Sequence, residues 1–255
     1  KQSEARRGAC AVYLPVEHDD ILEFLDIGTD GNPIQNLQYG VTVSDTWMEE
    51  MKAGDKSKRK VWAKIIQNRS EIGFPYIMFK DNSNNNSPYK ELGMDITASN
   101  LCSEIQLPTD SYNSFVCCLG SINVLHWDEI KETDAIQTYV YFLNAVMDEF
   151  VVKSETMPGM KRANNFAKEH RAIGLGVLGY HSLFQSKLIE FDSIQAKGLN
   201  AQIFSTIKDR SEIASRKLHK EYGYRSLRNG YANTTLMAIA PTKSSSFIHG
   251  AVSMG

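Results

Sequence analysis

The 255-residue chain is short of several things, and each shortage closes a class of function. It has four cysteines, Cys10, Cys102, Cys117 and Cys118, too few and too irregularly placed for the disulfide framework of a small secreted domain. No C-x-x-C pair occurs and no two of the six histidines stand in an H-x-x-x-H pair, so the spacings of a structural zinc site are absent and no metal ligand is expected. No apolar run approaches the ~20 residues of a membrane span, so no membrane partner is expected. Neither sign of charge dominates: 28 Lys and Arg meet 30 Asp and Glu, a formal net charge of −2, without the basic surplus of a nucleic-acid binder. The cysteine usage makes the cytoplasm the natural compartment, and the first residues lack the apolar core of a signal peptide. They also lack an initiator Met, and the last residues carry no polar tail, so the chain reads as a piece of a longer one.

What is present is the balance of a globular protein, 42% hydrophobic and 23% charged, with enough length for one large core or two modest ones. Asp19 and Asp20 precede a short capped helix that stops near Gly28. Helical spacing recurs over residues 45–53, 58–71, 134–152 and 192–222. The cluster Lys56, Lys58, Arg59 and Lys60 reads as a solvated helix start. Residues 75–79 read as a buried strand and 82–88 as a loop, and the pattern becomes strand-like over 96–107, 115–124 and 234–240. Alternating strands and helices predict an α/β architecture with no internal repeat and no clear boundary.

Four segments could carry chemistry. In Asn100-Leu101-Cys102-Ser103-Glu104, a strand would put the amide, the thiol and the carboxylate on one face, with Leu101 and Ile105 on the other. That set suits a polyhydroxylated substrate, with Glu104 as base and Cys102 as reactive centre; the plainer reading is an edge strand with a polar face. Cys117 and Cys118 would point to opposite faces, giving one working and one packing cysteine, or else two small core residues. Thr242-Lys243-Ser244-Ser245-Ser246 follows a strand and could hold an anion with hydroxyls, N–H groups and Lys243, or be a serine-rich turn. Gly174-Leu175-Gly176-Val177-Leu178-Gly179 satisfies G-x-G-x-x-G, but a charged segment, not a strand, precedes it. Close helix packing through small residues accounts for it better than an NAD site.

Taken in order, these segments resemble the large catalytic subunit of ribonucleotide reductase. The likeness is carried by R-R-G-A-C-A-V-Y-L from Arg6, S-N-L-C-S-E-I from Ser99, V-C-C-L-G-S from Val116, R-A-I-G-L-G-V-L-G from Arg171 and A-P-T-K-S-S-S from Ala240. It implies an α/β fold, part of a ten-stranded α/β barrel around a central finger loop, with residues 1–255 forming one catalytic barrel fragment incomplete at both ends. It also implies a thiyl radical at Cys102 that abstracts the ribose 3′ hydrogen, Glu104 taking the 3′-hydroxyl proton, and Asn100 holding the sugar hydroxyls. Cys117 matches the redox-active cysteine, Thr242, Lys243, Ser244 and Ser245 the substrate-phosphate loop, and Arg6 the end of the specificity loop.

The resemblance further implies a ribonucleoside diphosphate substrate, a radical delivered by a separate metal-containing small subunit, and thioredoxin or glutaredoxin as reductant. Nucleoside triphosphate effectors and a homodimer of the full-length large subunit complete the set, with no cofactor bound directly by this segment. Two departures stand out. The second redox cysteine lies upstream of anything here, and Cys10 and Cys118 occupy positions read as packing. Two other readings accompany this one, an adenosylcobalamin-dependent reductase and a non-catalytic nucleotide-binding remnant of the fold.

Overall fold

The computed structural model describes residues 8–255, which form two compact units that divide between Pro108 and Thr109. Arg6 lies outside the described residues.

The first unit is built on a parallel sheet of β1 (Ala11–Pro15), β2 (Gln38–Val43) and β3 (Tyr76–Phe79), in that order. The central strand is covered on both faces: Tyr39, Val41 and Val43 are fully buried and Thr42 nearly so, the continuous burial expected of a parallel strand. Between β1 and β2 lies α1 (Ile21–Phe24), whose preceding Asp20 makes no side-chain cap, contrary to the expectation from Asp19 and Asp20.

The β2–β3 crossover is α2 (Asp45–Ala53) and α3 (Lys56–Ile72). Ser44 accepts the Trp47 N–H, Asp55 accepts those of Ser57 and Lys58, and Gly54 and Gly73 end the two helices in the left-handed conformation. Lys58 pairs with Glu50 at 2.9 Å and with Asp55 at 3.5 Å, so part of the basic cluster is neutralised within the helix pair. Of the segment 82–88 expected as a loop, the first four residues belong to α4 (Lys80–Asn85), directly after β3, and the rest are turn.

The second unit pairs β4 (Leu119–Asn123) with β5 (Gly174–Leu178) in parallel. Between them run α5 (Trp127–Ile130), α6 (Ala135–Ser154) and α7 (Lys161–His170). After β5 come α8 (Tyr180–Ser186), α9 (Ile194–Tyr222) and α10 (Lys243–Ile248). Val140, Leu143 and Met147 of α6 share one core with Ile203, Ile207 and Leu218 of α9. Ile194, which the helical spacing over 192–222 would turn inward, is 84% exposed in the first turn of α9.

The expected strand over 234–240 reduces to a single parallel bridge between Leu175 and Met237, because Gly174 and Gly176 let that segment lie closer than a side chain would allow. A Cβ on Gly176 would sit 2.2 Å from the Ala238 carbonyl oxygen. The glycine pattern thus serves a close backbone approach at the edge of a strand, in place of the helix packing expected. Gly174 and Gly176 lie within β5 and only Gly179 follows it, whereas a dinucleotide fold places the glycines after the strand.

Candidate active site

Residues 94–108 contain neither helix nor strand, against the expectation of a strand over 96–107. Asn100, Cys102 and Glu104 therefore do not meet by strand alternation; a tight turn brings them together. Asn100 N–H donates to the Ile105 carbonyl at 3.3 Å, and the Asn100 side-chain Oδ1 accepts the Ile105 N–H at 3.0 Å. Inside that closure Ser103 N–H donates to the Asn100 carbonyl at 3.1 Å, and Ser103 takes a left-handed φ of 65°. A polar residue at each end and a short side chain at the bend suit such a turn, and Ile105 and Leu107 anchor its far side in the interior. Cys102 sits exposed at the tip. Glu104 is half-buried, and its Oε2 is shielded from solvent with no hydrogen-bond partner, a carboxylate oxygen left open to take a proton.

The wall beside the turn comes from the sheet. Tyr13 of β1 pairs with Gly40 of β2, and its ring lies over that glycine, where a Cβ would stand 2.4 Å from Tyr13 Cε1. The ring orientation carries the Tyr13 hydroxyl to 2.9 Å from Ser99 Oγ. Tyr13, Tyr76, Asn82, Ser99, Ser103 and Gln106 line the polar part of a cavity of about 280 Å³ in the same unit, with Ile77, Met78 and Phe79 on its apolar side. Burial raises the Tyr76 phenol above its usual range, and the neighbouring Tyr13 and Cys102 add to the rise, which keeps this wall uncharged near neutrality.

In the second unit the strand begins at Leu119, so Cys117 and Cys118 precede it instead of lying on it as expected. They still diverge: Cys117 is exposed, while Cys118 is buried, its Sγ 3.5 Å from the Leu143 carbonyl and its thiol pushed up to about 11 by burial. Cys117 opens on an apolar cleft of about 350 Å³ formed with Phe142, Val146 and Phe150. Behind Cys118, Arg171 is buried at the left-handed end of α7 and donates to Asp148 Oδ1 at 2.6 Å and to the side chain and carbonyl of Asn144. Asn233 joins this network, donating to the Arg171 carbonyl at 2.9 Å.

The hydroxyl run forms the turn into α10. Thr242 is left-handed at φ 54°, its carbonyl accepts the Ser246 N–H and its Oγ1 accepts the Gly255 N–H at 2.8 Å. Lys243, Ser244 and Ser245 are exposed, while Ser246 is buried and donates to the Lys243 carbonyl. Among the described residues no three His, Cys, Asp or Glu side chains converge as metal ligands do, and no helix is long and apolar enough to cross a membrane.

Sequence reasoning passed over Tyr13 and Asn84, both of which hold the Cys102 loop. The strand Ala11–Pro15 that carries Tyr13 was not expected from the sequence, and nothing in an asparagine-rich stretch distinguishes the asparagine that points at a distant backbone.

Comparison with known proteins gives the family. The family model for the ribonucleotide reductase barrel domain matches residues 1–58 and 55–227. The solved structure of the Actinobacillus ureae class Id ribonucleotide reductase alpha subunit superposes with a TM-score of 0.92 at 52% identity, over 96% of this chain and 48% of that one. A ribonucleoside-diphosphate reductase large subunit of Invertebrate iridescent virus 3 is 30% identical over 98% of this chain and 52% of its own length. One from Danio rerio is 30% identical over 86% of this chain and 33% of its own length.

The chain belongs to the ribonucleotide reductase large-subunit family, within its α/β barrel domain. It is similar to a class I alpha subunit and spans from a third to about half the length of the relatives named above.

Proposed function

We propose that this chain is the catalytic part of a ribonucleoside-diphosphate reductase, converting ribonucleoside diphosphates to 2′-deoxyribonucleoside diphosphates for DNA synthesis in the cytoplasm. The observation that carries the reading is the 100–105 turn, which gathers an exposed thiol, an unpartnered carboxylate oxygen and an amide on one short loop.

Breaking an unactivated C–H bond lies beyond acid–base catalysis, and a thiyl radical at Cys102 does it reversibly by taking the 3′ hydrogen. Glu104 Oε2 takes the 3′-hydroxyl proton, and the 2′-hydroxyl leaves as water with a proton from the redox dithiol that includes Cys117. Asn100 has its Oδ1 committed to the turn, which fixes the amide plane and leaves Nδ2 to hold a sugar hydroxyl. Cys117 supplies reducing equivalents and ends in a disulfide with a cysteine upstream of this segment; Cys118, buried and kept a thiol, packs. Lys243, Ser244 and Ser245 bind the diphosphate with side chains and first-turn N–H groups, and Thr242 keeps its own O–H to donate. Arg6 ends the specificity loop, through which nucleoside triphosphate effectors select the base.

The radical comes from a metal-containing small subunit, electrons come from thioredoxin or glutaredoxin, and the full-length large subunit works as a homodimer. The similarity to a class I alpha subunit supports this arrangement. The test is turnover of the full-length protein with its small subunit, a dithiol reductant and a ribonucleoside diphosphate. Cys102→Ser should reduce product to background with the unfolding midpoint unchanged, and Cys117→Ser should block multiple turnover. Retained turnover in Cys102→Ser, or none in the parent protein, overturns the reading; turnover that needs adenosylcobalamin moves the chain to the cobalamin-dependent type.

A further inference from the structure

A segment without helix or strand has no ladder to satisfy its backbone, so side chains must do it. For residues 94–108 the key side chain is Asn84, in the last turn of α4. Its Oδ1 accepts the Ile96 N–H at 2.8 Å and its Nδ2 donates to the Ile96 carbonyl at 3.0 Å. Both polar backbone groups of Ile96 are held by one primary amide, as a partner strand would hold them. The same Nδ2 reaches the Lys80 carbonyl at 3.0 Å, which fastens the clamp to its own helix. Ile96 is itself 1% exposed, so its side chain and backbone are pinned together. Three residues on, Tyr13 holds Ser99; one further, Asn100 begins the turn that presents Cys102.

We infer that Asn84 is a positioning residue for the chemistry of Cys102: one acceptor and one donor on a single side chain fix where the loop leaves the sheet wall, and hence where the Sγ stands. The inference rests on the reductase reading. Hydrogen abstraction falls steeply with misplacement of the abstracting atom, whereas the diphosphate is held by other residues. A slack loop should therefore lower kcat and leave KM nearly unchanged.

The test uses the full-length protein with its small subunit. In Asn84→Ala kcat should fall about 10- to 100-fold with KM for the diphosphate within about threefold, and the Ile96 amide should exchange at least about tenfold faster. In Asn84→Asp the acceptor is kept, but an oxygen faces the Ile96 carbonyl. Its deficit relative to the parent should be full near pH 8 and shrink toward pH 5.5, because the protonated carboxyl donates again.

A kcat within twofold of the parent in Asn84→Ala, a loss expressed mainly in KM, or a deficit in Asn84→Asp that does not change with pH overturns the inference. If Asn84→Ala does not fold, the pH dependence of Asn84→Asp decides. If the parent protein reduces no ribonucleotide, the functional reading falls, and Ile96 exchange in Asn84→Ala decides the clamp by itself: unchanged exchange overturns it.

Discussion

The two cysteine-bearing segments are held in place by different physics. Residues 94–108 hang on a few discrete side-chain hydrogen bonds, from Asn84, Tyr13 and Asn100, and present Cys102 to solvent. Cys118 instead sits in front of a parallel ladder, backed by the buried network of Arg171, Asn144, Asp148 and Asn233. The first arrangement allows local adjustment of a reactive atom at little global cost. In the second, a polar network in a low-dielectric interior holds only when every member is satisfied, so it fails as a unit. Damage to the Arg171 network should therefore appear as lost stability, and damage to the loop as lost function.

The largest expected effect breaks the second arrangement. Arg171→Ala removes the buried guanidinium from Asn144 and from Asp148, which is partly exposed and keeps the Tyr224 hydroxyl, and should cost about 2–3 kcal/mol of unfolding free energy, read from denaturant midpoints. A loss under about 1 kcal/mol would mean that the network is not cooperative.

His170 is fully buried against Phe166, and burial lowers its imidazole to about 4, with Asp110 pulling weakly the other way. The folded value lies below the unfolded ~6.5, so the unfolded chain binds the extra proton. Stability is complete above pH ~6.5 and falls as the pH drops toward 4, by an amount on the order of 2–3 kcal/mol. His170→Gln should flatten that slope in midpoints measured across the window, and an unchanged slope would move its origin elsewhere.

Gly176→Ala should cost about 2 kcal/mol, because the added Cβ meets the Ala238 backbone and not a side chain that could swing away. Since the hydroxyl run follows that segment, KM for the diphosphate should rise as well.

The loop gives the smallest stability effects. Tyr13→Phe removes one part-buried hydrogen bond and should cost about 1 kcal/mol. Gly40→Ala, which tilts the Tyr13 ring away from Ser99, should cost about 1–2 kcal/mol. Both should lower kcat by more than those stability losses suggest, and equal falls in stability and turnover would erase the contrast between the two segments.

Long periodic helices and their stops were legible in the residues: Asp45–Ala53 falls where the spacing places it, and Ile194–Tyr222 begins two residues late and ends at Gly223. The motif order was legible as well, and the family match and the close structural likeness agree with it. The local form of the reactive segment was not. Asn100 to Glu104 alternates as a strand would, but a strand needs a partner ladder, and here Asn84 and Ile105 take the backbone groups that a neighbouring strand would have used.

By itself, the amino-acid order determined which residue types are present to react, how far apart they stand along the chain, and where helices start and stop. Those depend on contacts within a few residues, which a sequence displays directly. The tertiary structure alone decided that Asn100, Cys102 and Glu104 share a turn, that Cys118 is buried while Cys117 is not, and that one of several clustered asparagines clamps the loop. The turn closes on its own hydrogen bonds between Asn100 and Ile105, but its placement and the burial of Cys118 rest on distant elements, Asn84 against Ile96, Tyr13 against Ser99 and Leu143 against Cys118, and partners of that kind leave no trace in local spacing.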